Sequence, residues 1–349
     1  MNAVAVAGRQ PAGPVNVMSV DVEEHFHVAA FAGQVRREDW LSLPSRVERN
    51  TDRVLALFAD RGVAATFFVL GWVAERHPAL VRRIAERGHE VASHGYCHIP
   101  AFQQDRAEFA ADVRRSKAIL EDAAGRAVLG YRAASFSIVK RNQWAFEELD
   151  RAGYRYSSSV NPVRHDIYGF PDAPRFNFTP TGTALTECPV TTLEVGGNRI
   201  PCGGGGYFRL LPYPLFRWAL RRVNAAGHSC YFYMHPWEVD PDQPRVAGAP
   251  LKSRFRHYTN LHRTDALRPA AGPCLTRDRA GWHRAGPWTP RGRVTGPPGT
   301  PSWRARRRPR PTTTIAGAGS WSAPSTCPRG TSWRATGRAA SAACCRWCA

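Results

Sequence analysis

The chain has 349 residues, enough for one large α/β domain or two smaller ones. Its formal net charge of +20 is concentrated at one end, because residues 265–349 carry 15 Arg, no Lys and 2 acidic residues. Residues 1–14 contain no apolar run of the kind found in signal peptides, and no stretch of about 18 apolar residues occurs anywhere, so we expect a cytoplasmic protein without a membrane span.

The first half of the chain alternates between β-type runs and amphipathic helices. Residues 15–22 alternate and are rich in Val, which is typical of a strand. Residues 65–70 form a continuous apolar run, typical of a strand covered on both faces. The pattern predicts further strands at 90–93, 127–132 and 154–158, and helices at 44–61, 73–87, 106–124 and 142–152.

This alternation predicts parallel βα units in an α/β fold, either a barrel or a doubly wound sheet. Residues 161–211 lack a helical pattern and predict a hairpin-rich insertion or lid. A helix at 215–226 and a strand at 230–234 then return. The glycine run 203–206 lacks the Lys-Ser/Thr of a phosphate loop, so we interpret it as a turn.

The last 85 residues have a different composition. They hold 5 of the 9 Cys and 6 of the 11 Trp, but only four residues from the set Ile, Leu, Val, Phe, Tyr and Met. That number is too small for a core. We therefore predict a flexible N-terminus at 1–14, one domain at 15–264 and a disordered, frameshifted tail at 265–349. The alternative is an arginine-rich arm that binds nucleic acid, although the tail lacks patterned aromatic residues or a helical charge stripe.

Three polar clusters follow predicted strands. His94 and His98 are four residues apart and can direct both rings to one divalent metal, zinc above all. Asp21 and Glu23 end the first strand on one side of it, which suits one carboxylate for a metal and one for a general base. The neighbouring Glu24, His25 and His27 are not assigned as ligands.

Two further side chains follow later strands. Arg132 can hold a catalytic carboxylate in a bidentate contact, or it can form an ordinary salt bridge. His235 can act as a general acid, or it can be a hydrogen-bonded core histidine. Stacking platforms for a sugar ring are available in Tyr96, Tyr207 and Trp237, although core packing explains each ring equally well.

Five motifs in order and spacing resemble the polysaccharide deacetylases with the NodB homology domain, carbohydrate esterase family four: residues 19–23, 66–68, 93–98, 130–132 and 235–237. Segments 164–169, 171–175 and 203–209 resemble the exopolysaccharide branch of that family associated with exosortase and PEP-CTERM sorting. The resemblance covers residues 15–264.

The resemblance implies a distorted (β/α) barrel that removes N-acetyl groups from N-acetylhexosamine polymers, here a bacterial exopolysaccharide. It implies one divalent metal, zinc by preference, held by His94, His98 and Glu23. Asp21 would be the base, Arg132 its orienting partner and His235 the acid. The expected partner is the acetylated sugar, with exopolysaccharide biosynthesis machinery possible as a further partner, and with no nucleic acid.

Three positions depart from the family pattern. Val22 stands where the family has its ligand aspartate, so Glu23 is the nearest replacement. Ala134 replaces a proline, and Ser157 replaces the aspartate that tunes the acid histidine, a task that Asp166 could take over. Two alternatives to the deacetylase therefore stay open: an amide or cyclic-imide hydrolase that uses the same site, and a non-catalytic sugar-binding relative.

Overall fold

A seven-stranded parallel sheet forms the centre of the fold in the computed structural model, which describes residues 14–165 and 168–265. The strands of this sheet are short, and each has buried residues. They are β1 (Val17–Val22), β2 (Thr66–Val69), β3 (Glu90–Ser93), β4 (Gly130–Tyr131), β5 (Tyr156–Ser157), β6 (Thr186–Glu187) and β9 (Tyr231–Met234). A separate antiparallel hairpin consists of β7 (Thr192–Val195) and β8 (Asn198–Pro201).

The order across the sheet is β6-β5-β4-β3-β2-β1-β9, and every neighbouring pair is parallel. The sheet curls, and within the described residues no pairing joins β6 to β9, so it forms a half-barrel. The predicted α/β fold of the distorted barrel type is confirmed. Since all seven strands run in one direction, their carboxyl ends meet at a single edge.

The helices cover the sheet and connect its strands. They are α1 (Val47–Arg61), α2 (Gly71–Arg76), α3 (Pro78–Glu86), α4 (Arg106–Ala124), α5 (Trp144–Arg151), α6 (Gly205–Leu210), α7 (Tyr213–Ala225), α8 (Leu251–Tyr258) and α9 (Leu261–Asp265). The core between helices and sheet consists mainly of fully buried aliphatic and aromatic side chains, among them Val20, Leu55, Phe67, Ile84 and Leu120.

The helix predicted at 73–87 is in fact two helices, α2 and α3. They are separated by His77, which has φ −126° and ψ 55°. Pro78 explains the break, because a proline disfavours helical backbone at the residue before it but fits the first turn of the helix it begins.

The prediction for residues 161–211 is partly wrong. The hairpin β7–β8 is present, but β6 joins the main sheet and the glycine run leads into helix α6 at Gly205. A Cβ on Gly203 would lie 2.6 Å from the Tyr231 carbonyl oxygen, and one on Gly204 would lie 2.7 Å from the Tyr233 ring. The glycines therefore allow the backbone to lie directly against β9.

The predicted flexible N-terminus and frameshifted tail fall, apart from residues 14 and 265, outside the described residues. Both stay predictions. Within the described part of the chain, no helix has the length and apolar character needed to cross a membrane.

Candidate active site

The site lies where β1, β3, β4 and β9 end. Asp21 is on β1 and Glu23 follows it, His94 follows β3, Arg132 follows β4, and His235 follows β9. Parallel strand ends thus bring together five side chains that are distant in sequence. All of them are buried except His235, whose side chain is 19% exposed.

Glu23, His94 and His98 form a group that can hold a metal ion. Their candidate donor atoms lie within 4.8 Å of one another, and all three residues are buried. His98 Nε2 is 3.0 Å from Glu23 Oε2, yet this oxygen accepts no hydrogen bond of good geometry from the described residues. A buried carboxylate oxygen without such a partner, beside two imidazoles, fits a divalent cation such as zinc.

The contact of one ring nitrogen of His94 determines which nitrogen carries the proton. Its Nδ1 lies 2.9 Å from the Arg132 carbonyl oxygen, which favours a proton on Nδ1 and a free lone pair on Nε2. Burial lowers the pKa of His94 to about 4, so its imidazole is neutral at pH 7. For Glu23, burial alone would raise the pKa, but the imidazoles of His98 and His235 hold it well below its usual range. The carboxylate is therefore ionised.

The histidine pair is carried by a loop, not by a helical turn. Gly95 has φ 73° and His98 has φ 51°, both in the left-handed region, which is uncommon for a residue with a side chain. The Tyr96 backbone N–H donates to the Asp112 carboxylate at 3.1 Å, which ties the loop to α4. The two imidazole centroids are 5.3 Å apart.

Asp21 and Arg132 form a buried ion pair, with Nη1 2.5 Å from Oδ1. The same Nη1 donates to the Ser19 hydroxyl at 2.9 Å, and Nη2 donates to the Ser158 hydroxyl at 3.1 Å. The guanidinium also lies over the Phe68 ring at 4.0 Å. These contacts hold Arg132 in one orientation and, through it, Asp21.

His235 has a carboxylate on each ring nitrogen. Its Nε2 is 3.5 Å from Glu23 Oε1, and its Nδ1 is 2.8 Å from Glu238 Oε1. Burial would lower the pKa of His235, but the hydrogen bond to Glu238 and the charge of Glu23 raise it to about 9. The ring stacks on Trp237, with centroids 4.7 Å apart.

The three rings predicted to contact a sugar differ in exposure. Tyr96 is 3% exposed and its hydroxyl donates to Glu75 at 2.6 Å. Trp237 is 5% exposed, stacks between His235 and His257, and donates its indole N–H to Glu23 at 3.3 Å. Both rings are therefore packed inside the protein and offer little surface to a sugar. Tyr207 is partly buried and keeps some exposed surface.

The residues that follow Glu23 have structural roles. Glu24 accepts backbone N–H bonds from Arg46 and Val47 where α1 begins, at 2.9 and 3.0 Å. Its own N–H donates to His27 Nδ1 at 3.1 Å. His25 is also buried. The group of possible metal ligands among the described residues consists of Glu23, His94 and His98 and does not include Glu24, His25 or His27.

Sequence reasoning missed Glu238 and Arg209 as parts of the site. Glu238 is three residues after His235 in a 3₁₀ turn, and its carboxylate also accepts the His235 backbone N–H at 3.1 Å. The His-x-x-Glu spacing of a capping box was the available signal. Asp166, the other candidate partner of His235, lies outside the described residues.

Residues 40–157 match the family model described as polysaccharide deacetylase, and residues 158–268 match a domain of unknown function, DUF3473. A peptidoglycan-N-acetylglucosamine deacetylase of Bacillus cereus is 32% identical over 99 residues, which are 28% of this chain and 36% of that protein. A chitooligosaccharide deacetylase of Rhizobium leguminosarum bv. trifolii is 50% identical over 48 residues, 14% of this chain and 22% of that protein. A solved structure from Mycobacterium smegmatis, provisionally assigned as a polysaccharide deacetylase, shares 20% identity over 75% of this chain and 87% of that chain, with a TM-score of 0.48.

The chain thus spans 36% and 22% of the length of these two curated relatives. Residues 40–157 are thus similar to the polysaccharide deacetylases, a family of enzymes, as are the shorter stretches shared with these two relatives. The deacetylase match contains His94, His98 and Arg132. It begins after Asp21 and Glu23 and ends before His235, which falls in the second matched segment.

Proposed function

We propose that the chain is a metal-dependent N-deacetylase that hydrolyses the acetamide groups of N-acetylhexosamine units in a bacterial exopolysaccharide. The observation that carries the proposal is one buried group of possible metal ligands, Glu23, His94 and His98, beside an Asp21–Arg132 ion pair and His235. A ligand group, a base and an acid are the parts that hydrolysis of an amide requires.

Glu23, His94 and His98 would hold the metal, preferably zinc, which accepts two imidazole nitrogens and a carboxylate oxygen. When bound there, the cation supplies Lewis acidity toward the amide carbonyl and lowers the pKa of a coordinated water. Glu23 is the acidic ligand in this proposal, because Asp21 is already paired with Arg132. The same guanidinium nitrogen also donates to the Ser19 hydroxyl, which helps to keep Arg132 beside Asp21.

Asp21 is the proposed general base. Its Oδ1 accepts a charge-assisted hydrogen bond from Arg132, which limits the rotation of the carboxylate. From this position the carboxylate takes a proton from the attacking water as the new C–O bond forms. Arg132 does not itself react, but it determines where the base lies.

His235 is the proposed general acid. Its Nε2 is directed toward Glu23, on the same side as the metal-binding group, and it donates a proton to the nitrogen that leaves. The C–N bond of the acetamide then breaks. The products are acetate and a free amine on the sugar, which becomes a cation below the pKa of that amine.

Three observations support the proposed substrate class. The two curated relatives are a peptidoglycan-N-acetylglucosamine deacetylase and a chitooligosaccharide deacetylase, which favours an acetylated amino sugar. The motifs at 164–175 and 203–209 favour an exopolysaccharide and its biosynthesis machinery as the setting. Among the aromatic candidates, Tyr207 retains exposed surface and is the proposed contact for a sugar ring.

Acetate release by the full chain tests the proposal. Purified protein, loaded with zinc or stripped by a chelator, is incubated with N-acetylated glucosamine oligosaccharides, with a cyclic imide and with buffer alone. We expect acetate from the oligosaccharides only when metal is present. Hydrolysis of the imide alone would favour the small-molecule amidase, and sugar binding without turnover of either substrate would favour a non-catalytic relative.

A further inference from the structure

A buried ion pair lies behind the proposed acid. Glu238 Oε1 is 2.8 Å from His235 Nδ1, and Glu238 Oε2 accepts from Arg209 Nε at 2.9 Å. Both side chains of the Glu238–Arg209 pair are 1% exposed. The carboxylate therefore bridges the imidazole and the guanidinium, and each of its oxygens has a different partner.

The remaining donors of Arg209 go to the backbone near the end of the described chain. Nη1 donates to the carbonyl oxygens of His257 at 3.3 Å and Thr259 at 2.5 Å, and Nη2 donates to that of Arg256 at 3.2 Å. In return, the Arg209 carbonyl oxygen accepts from Asn260 at 3.0 Å. A buried guanidinium needs acceptors of this kind. The end of α8 thus holds Arg209 in place.

The glycine run supplies the space for this arrangement. A Cβ on Gly205 would lie 2.3 Å from Glu238 Oε2 and 2.6 Å from Oε1, closer than real side-chain contacts allow. A Cβ on the next residue, Gly206, would meet nothing within 4 Å. Gly205 therefore accommodates the carboxylate of Glu238, whereas Gly206 does not.

We propose that Glu238 is the positioning residue of the general acid His235, and that Arg209, Gly205 and the α8 carbonyls hold Glu238 in place. The bond from Nδ1 to Glu238 keeps Nε2 directed at the metal-binding group, as second hydrogen bonds do for histidines at metal sites. Residues 158–268, which match a domain of unknown function, thereby complete the active site. This inference rests on the proposed deacetylase function.

The first experiment compares Glu238→Gln with wild type on two substrates. One is an N-acetylated oligosaccharide, whose amine must be protonated to leave, and the other is an activated aryl acetate, whose leaving group needs no proton. We expect kcat on the amide to fall by about 10–100-fold and kcat on the ester to change little. Glu148→Gln is the matched control, because Glu148 is also a buried carboxylate paired with arginine, but on α5 with Arg106. Equal losses on amide and ester would overturn the proposal.

A double-mutant cycle tests whether Glu238 acts through His235. If it does, Glu238→Gln should add almost nothing to the loss already caused by His235→Ala. Additive losses on the amide would mean that Glu238 has a separate role, which would contradict the proposal.

The second experiment uses the two adjacent glycines of α6. Gly205→Ala should displace the Glu238 carboxylate and reproduce the amide-selective loss, whereas Gly206→Ala should leave both activities unchanged. Both substitutions bring the same gain in helix propensity, so that effect cancels. Equal behaviour of the two variants would count against the proposal. If thermal unfolding shows that Gly205→Ala does not fold, the comparison of Glu238→Gln with Glu148→Gln still decides.

A third measurement tests the positioning of His235 by Glu238 independently of the proposed deacetylase activity. Imidazole NMR of metal-free wild type and of Glu238→Gln reports directly on the His235 Nδ1 hydrogen bond. We expect a downfield Nδ1 proton in wild type that moves upfield in the variant. If wild type releases no acetate but shows this change, the proposed function fails and the positioning of His235 by Glu238 stands. An unchanged resonance in an active enzyme would reject the positioning alone.

Discussion

At the scale of residues, Asp21 and Glu23 have distinct environments although they are two positions apart. Asp21 contacts a fixed cation, Arg132, whereas the polar contacts of the Glu23 side chain with other described side chains are imidazole and indole nitrogens. A carboxylate already paired with arginine is the poorer metal ligand, since the two cations would compete for it. The neighbours, more than the residue type, support the division into base and ligand.

The proposed metal ligands Glu23, His94 and His98 predict the effect of removing a histidine. His94→Ala or His98→Ala should remove most bound zinc and nearly all acetate release, because two of three protein ligands cannot hold the ion alone. Metal content after dialysis, measured beside activity, checks this expectation. His77→Ala, on the turn between α2 and α3, is the control. Full zinc occupancy in both site variants would end the ligand assignment.

The two carboxylates should differ when each becomes an amide. Glu23→Gln should weaken metal binding, since a charged ligand becomes neutral. Asp21→Asn should keep the metal but lower kcat by about 10²–10⁴-fold, the usual contribution of a general base. Zinc titration together with kcat separates the two effects. If the two phenotypes were exchanged, the roles of base and ligand would have to be exchanged as well.

The pH dependence follows from His235. In the metal-free protein the hydrogen bond to Glu238 and the charge of Glu23 raise the pKa of His235 to about 9, from an ordinary 6.5, and a cation on Glu23 would remove part of that rise. We expect kcat/KM to fall on the alkaline side of the profile, as the acid loses its proton. Glu238→Gln should move the alkaline limb to lower pH, and His235→Ala should flatten it with metal content unchanged. An alkaline limb unmoved in both variants would remove His235 from the mechanism.

At the scale of elements, α4 contacts the loop of His94 and His98 through Asp112, and the start of α4 is well defined. Asp105 accepts the N–H groups of Ala107 and Glu108 at 2.8 and 2.9 Å, and Glu108 accepts the Asp105 N–H at 2.9 Å. This capping box satisfies three backbone N–H donors at the N-terminus of a 19-residue helix. The loop of His94 and His98 is therefore anchored, through Asp112, to a helix whose N-terminus is capped.

Asp105→Ala should lower the free energy of unfolding by about 0.5–2 kcal/mol, because two N–H groups lose their acceptor. Asp105→Asn should cost less, since its side-chain oxygen can still accept. Urea denaturation of the three proteins measures the difference. No loss in the alanine variant would show that water replaces the cap without cost.

At the scale of the whole molecule, the basic charge and the site belong to different parts of the chain. Every contact of the site described above lies between Ser19 and Asn260, whereas 15 of the 48 basic residues come after residue 264. The chemistry and the charge should therefore be separable.

Ending the chain after Asp265 should leave acetate release unchanged and reduce salt-sensitive binding to polyanions such as DNA. Activity and a DNA filter-binding assay at two salt concentrations, on the full and the shortened chain, check both parts. Loss of activity in a folded shortened chain would show that residues after 265 contribute to the site.

The sequence by itself determined the α/β class and the position of most strands, because periodicity and apolar runs are local signals. It also indicated His94, His98, Asp21 and Arg132, since polar residues that follow β-type runs stand out from their neighbours. The break before Pro78 is also a local feature, because a proline disfavours helical backbone at the residue before it. Such features depend only on residues close along the chain.

Only the tertiary structure decided which partners these residues have. Glu238 reaches His235 within one turn, but Arg209 and the carbonyls of residues 256–259 come from segments 29 to 50 positions away from their partners. Nothing in local composition marks Arg209 as buried, because an arginine enters a protein interior only when distant acceptors surround it. Likewise, a glycine run is ambiguous until the side chain that needs the space, here the carboxylate of Glu238 against Gly205, is known.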